Sequence, residues 1–238
     1  MANLPTIHGH LLDKGTKMAY FRYKQSSLAH RFKFNYNIQK SILKIYKTMP
    51  SSVQAKRIAL LAKKSEQIFH LKDLGNLWNI RNPKTLRMTL KRYVDAELLY
   101  RIHRGFYSTL PLDQLDPEQV GAKALHSYCY LSTESVLYKT GYLSQRPKAL
   151  TFVSAKHKNF TLHGTAYRSR QLQNTFLFSP SGIEEVNGLK TATPERAIAD
   201  LLYFNPLAFF DKKVDWKRVK TMQETIGYPL TPQRYVAA

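Results

Sequence analysis

The sequence has few of the features that mark a secreted, membrane-spanning or metal-binding protein. It contains one cysteine in 238 residues, so neither an internal disulfide nor a cysteine zinc cluster can form. We expect Cys129 to be a small core residue. No apolar run approaches the ~18–20 residues that cross a bilayer, and the first residues contain no continuous apolar stretch typical of a secretory signal. We therefore expect a cytoplasmic protein with no membrane partner.

Patterns that carry common catalytic chemistry are also missing. None of the eight histidines forms a His-x-x-x-His pair, the spacing of a helical metal site, and no glycine-rich loop with a lysine could hold a phosphate. Glu184, Glu185 and Lys190 are residue types that a metal-dependent nuclease uses, but the Asn187-Gly188 turn separates the acids from the lysine. We predict a protein that is not an enzyme, with no catalytic residues, metal site or cofactor.

Acidic residues are scarce, and they are scarcest in the first half. The chain has 37 Lys and Arg against 16 Asp and Glu, a formal net charge of +21. Residues 1–110 hold 21 basic and five acidic residues, a balance of +16, whereas residues 111–238 hold 16 and 11, a balance of +5. This excess indicates a polyanionic partner, and the asymmetry assigns that partner to the first half.

The predicted elements indicate an α+β fold in three parts: an N-terminal arm at 1–36, a DNA-binding domain at 37–111 and a mixed α/β domain at 112–238. In the arm, basic residues alternate with aromatic ones. Such an arm either is loosely ordered or adds contacts to nucleic acid, and the sequence leaves both readings open.

The middle part has the element order of a winged helix-turn-helix. Apolar spacing predicts helices over 38–49, 53–64, 71–78 and 83–96, the last beginning with Asn82 as N-cap and Pro83 at the first helical position. Strand 98–102, a His103-Arg104-Gly105 turn and strand 106–110 follow directly. In a winged helix-turn-helix, the helix before the wing lies in the major groove of DNA.

The 83–96 helix separates apolar from basic residues. Its expected buried face consists of Leu86, Leu90, Tyr93, Val94 and Leu98. On the other side, Lys84, Arg87 and Lys91 follow the spacing i, i+3, i+7 and form one ridge. The predicted DNA-binding residues are Lys84, Thr85, Arg87, Met88, Lys91 and Arg92 on the helix, and Arg101 and Arg104 on the wing.

The last part alternates strand and helix signals. Strands are predicted over 128–131, 149–154, 160–163, 165–168, 175–178, 183–186 and 189–192, and helices over 117–125, 132–140, 195–203 and 216–226. Asn187-Gly188 is a strong hairpin signal. Glu195 stands in a helical first turn, and Arg196 and Asp200 form an i, i+4 pair, so we expect structural roles at helix starts and on helix surfaces.

Three segments resemble a known family. They are Asn82-Pro-Lys-Thr-Leu86 through Tyr100-Arg-Ile-His-Arg-Gly-Phe-Tyr107, Tyr130-Leu-Ser-Thr-Glu-Ser-Val-Leu137, and Ala192-Thr-Pro-Glu-Arg-Ala-Ile-Ala-Asp-Leu-Leu202. Together they resemble the AbiEi-type antitoxins of bacterial type IV toxin–antitoxin (abortive infection) systems and related transcriptional regulators, over roughly residues 50–227.

The resemblance implies an autorepressor that binds promoter repeats in double-stranded DNA through its winged helix. It also implies a C-terminal domain that counters a nucleotidyltransferase-like toxin encoded nearby. Two alternatives remain from the residues: a metal-dependent nuclease, or a plasmid replication initiator, either of which would use the basic half to bind DNA.

Overall fold

The structure, a computed structural model, describes residues 52–231 and divides the chain into two compact units, 1–65 and 66–238. In the first unit it describes helix α1 (Ser52–Ala62). Of the apolar residues that the predicted helix at 53–64 would turn inward, Leu61 is buried, whereas Val53 and Ala62, at the two ends of α1, are exposed. The predicted helix at 38–49 and the arm at 1–36 lie outside the described residues.

The second unit begins with a small antiparallel sheet and two helices. Its elements are β1 (Ile68–His70), α2 (Leu71–Leu77), α3 (Pro83–Asp95), β2 (Tyr100–His103) and β3 (Phe106–Ser108). The strands lie in the order β1-β3-β2. The predicted helix at 83–96 and the strand pair behind it are thus present.

Helices α2 and α3 pack closely at a glycine. A Cβ atom at Gly75 would lie 3.0 Å from Cδ2 of Leu86, so a side chain at position 75 would require the Leu86 side chain to shift by a few tenths of an ångström. Asn82 caps α3 as predicted, because its Oδ1 accepts the backbone N–H groups of Lys84 and Thr85 at 2.9 and 3.2 Å.

The end of α3 differs from the prediction in one respect. The helix ends at Asp95 and Glu97 has a φ of 56°, so the chain leaves the helical path before Leu98. Leu99 is therefore the buried residue, and Leu98 is half-buried.

A mixed six-stranded sheet dominates the rest of the second unit. Its strands lie in the order β6-β7-β5-β4-β9-β8. After a short 3-10 helix (Leu112–Gln114), the remaining elements are α4 (Pro117–Leu125), β4 (Cys129–Leu131), α5 (Glu134–Lys139), β5 (Leu150–Ser154), β6 (Lys158–Leu162), β7 (Thr165–Gln171), α6 (Asn174–Leu177), β8 (Ile183–Val186), β9 (Leu189–Ala192), α7 (Pro194–Phe204) and α8 (Trp216–Ile226). The predicted α+β class and the Asn187-Gly188 hairpin are confirmed.

Helices cover both faces of this sheet. Gly121 of α4 lies against one face, where an added Cβ would come within 2.5 Å of the Tyr167 ring and 2.8 Å of Phe152. Arg170 is three residues beyond Tyr167 and points to the other face, because side chains alternate along a strand, and there it pairs with Glu134 of α5. Helix α7 packs against α5 and α8 on that side.

One hydrophobic core runs through the second unit. Ile68, Ile102 and Phe106 of the small sheet belong to the same cluster of buried residues as the large sheet and its helices. The division of the chain into separately folding parts at residues 36 and 111 stays a prediction. Among residues 52–231, no helix is long and apolar enough to cross a membrane.

The strand predicted at 175–178 is wrong, since this segment is the single-turn helix α6. Phe176 packs there edge-on against Tyr203 and Tyr228, with ring centroids 5.7 and 5.0 Å apart. Its carbonyl accepts a hydrogen bond from the Arg196 guanidinium at 3.1 Å. The sequence places the start of this helix at Ser132, but the N-cap of α5 is Thr133, and the buried Ser132 hydroxyl donates to Asp200 instead.

Candidate nucleic-acid interface

Helix α3 presents its basic residues to solvent and its apolar residues to the core. Leu86, Leu90 and Tyr93 are at most 4% exposed. The six predicted DNA-binding residues of the helix are all exposed: Lys84, Thr85, Arg87, Met88, Lys91 and Arg92. The two faces of the helix are therefore as the sequence predicts, which leaves long cationic side chains free to reach a partner.

The exposed ridge of α3 is electrostatically uncompensated within residues 52–231. None of Lys84, Arg87 and Lys91 forms an ion pair with another described residue. The acidic Asp95 stands at the far end of the helix. Arg81, which is not among the predicted residues, is also exposed one residue before the N-cap. Its position at a helix N-terminus, where phosphates bind, is the signal that could have found it.

The hairpin β2–β3 carries the two predicted wing arginines, and both are exposed. Gly105 has a φ of 77°, a left-handed conformation that favours glycine at this tight turn. The register shifts between Arg101 and His103, which marks a β-bulge. Arg101 Nε donates to the His103 carbonyl at 3.4 Å. Arg104 lies in the turn between β2 and β3 and is therefore the arginine at the tip of the hairpin.

Arg196 and Asp200 lie in the core rather than on the helix surface where we expected them. Both side chains are 0% exposed, and Arg196 Nε donates to Asp200 Oδ1 at 2.9 Å. Arg196 also donates to the Tyr130 hydroxyl at 2.7 Å and to the carbonyls of Phe176, Ser179 and Ser181. Asp200 accepts hydrogen bonds from Ser132 at 2.7 Å and Tyr228 at 2.6 Å.

This buried network has a structural rather than a catalytic arrangement. Each charged group has several partners, so neither is left available for a substrate. Burial raises the pKa of the Tyr130 and Tyr228 hydroxyls well above the ordinary value of 10.0, and the nearby Asp200 charge raises both further. Both hydroxyls therefore stay protonated. Tyr130 accepts from Arg196 and Tyr228 donates to Asp200, which holds α7 against β4 and the end of α8.

The remaining candidates for chemistry converge only in part, since the hairpin places Glu185 opposite Lys190 across β8 and β9. Glu184 and Glu185 are neighbours on β8, so their side chains point to opposite faces of the strand and cannot hold one metal ion together. Within residues 52–231 there is no group of three or more His, Cys, Asp or Glu that could hold a metal. Burial raises the pKa of the Cys129 thiol to about 11, which disfavours the nucleophilic thiolate.

Comparison with solved structures gives a distant likeness. No protein-family model matches the chain, and no curated protein sequence matches it. The chain is similar to the crystal structure of the Rv2827c protein from Mycobacterium tuberculosis, with 15% sequence identity and a TM-score of 0.44. That match covers 79% of this chain and 81% of the Mycobacterium chain.

Proposed function

We propose that the chain is a sequence-specific DNA-binding repressor that uses a winged helix-turn-helix and has no enzymatic activity. Helix α3 is the recognition helix in this proposal, α2 is the first helix of the turn unit, and β2–β3 is the wing. The pairing of β1 with β3 supports this assignment, because β1 completes the three-stranded sheet from which a wing extends.

The observation that carries the proposal is the charge separation on α3 beside an arginine-tipped hairpin. One face of the helix is closed by Leu86, Leu90 and Tyr93, and the other presents exposed cations without ion-pair partners among the described residues. A single helix fits the major groove, where arginine and lysine donate to guanine and to phosphates. Met88, 50% exposed between these cations, suits apolar contact with a thymine methyl group.

Salt dependence and metal dependence test this function. We expect the full chain to shift a duplex taken from the promoter of its own reading frame in EDTA. If about six phosphates are contacted, the slope of log affinity against log salt should be roughly −5. Incubation with Mg²⁺ or Mn²⁺ should leave labelled DNA and RNA intact. Cleavage that depends on the metal and disappears in Glu184→Gln would contradict the proposal and favour a nuclease.

We further propose that residues 112–238 act as an antitoxin against a nucleotidyltransferase-like toxin. The support is the resemblance of the segments Tyr130–Leu137 and Ala192–Leu202 to the antitoxin family. The second segment includes most of helix α7, which the buried Arg196 anchors. Co-expression with the neighbouring reading frame tests it. We expect growth inhibition by that product to be relieved by the full chain, and a neighbour that is not a nucleotidyltransferase would remove this part of the proposal.

A further inference from the structure

A histidine from the large sheet reaches the proposed wing. His163 and Gly164 form the two-residue turn between β6 and β7, with φ angles of 46° and 77°. Such a turn fixes the direction of its side chain, because both residues are held in the left-handed region. His163 Nε2 lies 2.7 Å from the carbonyl oxygen of Ile102 in β2. A carbonyl can only accept, so the ring nitrogen donates.

The accepting carbonyl belongs to a position that the small sheet does not pair. The register of β2 with β3 runs from Arg101↔Tyr107 to His103↔Phe106 and omits Ile102, which is the extra residue of the bulge. Strand β2 is also the edge of the sheet β1-β3-β2. The hydrogen bond from His163 therefore supplies a partner to Ile102, two residues before the wing-tip residue Arg104.

The opposite edge of the small sheet is held in a similar way. His70, the last residue of β1, places its Nε2 2.7 Å from the carbonyl oxygen of Lys123 in α4. Its ring stacks on Phe106 with centroids 4.7 Å apart, and Lys123 Nζ contacts Glu66 at 2.8 Å. Both edge strands of the sheet are thus fixed by the large α/β part, so the position of the bulge is not set by the hairpin alone.

We propose that His163 is a positioning residue for the wing: its hydrogen bond to the bulged Ile102 holds β2 so that Arg104 meets the DNA backbone. This inference rests on the proposed DNA-binding function. It assigns the α/β part a role in DNA affinity that needs no contact between His163 and DNA. A hairpin that is held in place loses less freedom on binding, which raises affinity.

Two substitutions at position 163 separate the hydrogen bond from the turn. His163→Asn keeps a residue that readily adopts positive φ before glycine, but its shorter amide does not reach Ile102. His163→Gln places an amide N–H at about the distance of the ring Nε2. We expect His163→Asn to weaken binding of the full chain to the promoter duplex by about threefold to thirtyfold. We expect His163→Gln to recover most of that loss.

Combination with Arg104→Ala and with Arg87→Ala tests whether His163 acts through the wing. His163→Asn should cause no further loss when Arg104 is already alanine, and its full loss when Arg87 is alanine. If His163 only stabilises the fold, His163→Asn should weaken DNA binding equally in the two backgrounds. Equal losses of affinity would therefore overturn the inference. No loss from His163→Asn in the wild-type chain would also overturn it. If Arg87→Ala and Arg104→Ala themselves leave binding unchanged, the proposed function fails instead.

Discussion

Removing the charge of Asp200 should destabilise the protein far more than its i, i+4 spacing suggests. Asp200→Asn keeps the shape of the side chain and an oxygen that can accept from Arg196, while its amide can donate to Ser132. The change thus leaves the hydrogen-bond count almost intact. What remains is a guanidinium that is 0% exposed and has no counter-ion.

A buried charge left without its partner costs about 3–5 kcal/mol. This is a large part of the 5–15 kcal/mol that stabilises an ordinary domain. For a protein of this size, each kcal/mol lowers Tm by roughly 2–4 °C, so we expect Asp200→Asn to lower Tm by about 6–20 °C. The raised pKa of Tyr130 and Tyr228 gives no compensation, because both hydroxyls stay neutral near pH 7.

The matched control is the exposed pair Lys220–Glu224 on α8, which has the same i, i+4 spacing. Its atoms lie 3.9 Å apart and its side chains are 63% and 53% exposed. Such a pair contributes at most about 0.5 kcal/mol, so Glu224→Gln should change Tm by no more than ~2 °C. Thermal unfolding followed by circular dichroism measures both variants. Equal changes in Tm would refute the view that burial makes Asp200 important.

Two other predictions concern α3 and alkaline pH. Leu90→Ala should cost about 2–5 kcal/mol in urea unfolding because Leu90 is fully buried, whereas the exposed neighbour Met88→Ala should cost under ~0.5 kcal/mol; similar costs would show that the helix faces are misassigned. Above pH ~10 the unfolded chain releases tyrosine protons that Tyr130 and Tyr228 retain, so stability should fall as pH rises, by about 1.4 kcal/mol per pH unit for each tyrosine. Tyr228→Phe should remove one such contribution, and an unchanged slope would contradict the raised pKa.

Local signals in the sequence were sufficient for most helix starts and for one hairpin. Asn82-Pro83, Asp116-Pro117 and Thr193-Pro194 each join a capping side chain to a proline at the first helical position. Each cap forms its side-chain hydrogen bond in the structure. The hairpin at Asn187-Gly188 follows from residues that accept positive φ. These features can be predicted from the sequence because they depend on residues that are adjacent in the chain.

Features that depend on distant parts of the chain were not readable. An apolar run such as Thr175–Phe178 fits a strand or a helix, and its contacts with Tyr203, Tyr228 and Arg196 decide for the helix. One feature of the local sequence does indicate that Arg196 and Asp200 are buried. Every residue from Arg196 to Leu202 is buried, and a helix that is apolar nearly all round indicates a core position.

The exposed side chains of the candidate interface could be predicted from the sequence, but the contact that holds the hairpin in place could not. Eight of eight predicted DNA-binding side chains are exposed, because helical periodicity and the glycine turn determine which way they point. The contact between His163 and Ile102 joins residues 61 positions apart. Only the His163-Gly164 pair, a turn signal similar to Asn-Gly, could have indicated that a histidine stands at the tip of a hairpin.

The most direct test of DNA binding through α3 is the salt slope of a double variant against a charge-matched control. Arg87→Ala with Lys91→Ala removes two charges from the exposed ridge. Lys213→Ala with Lys217→Ala removes two exposed charges before and at the start of α8. On the promoter duplex we predict that the first pair makes the slope of log affinity against log salt less steep by about 2, and that the second pair leaves it unchanged. Equal changes for the two pairs, or a flat salt dependence of the unmodified chain, would contradict the account.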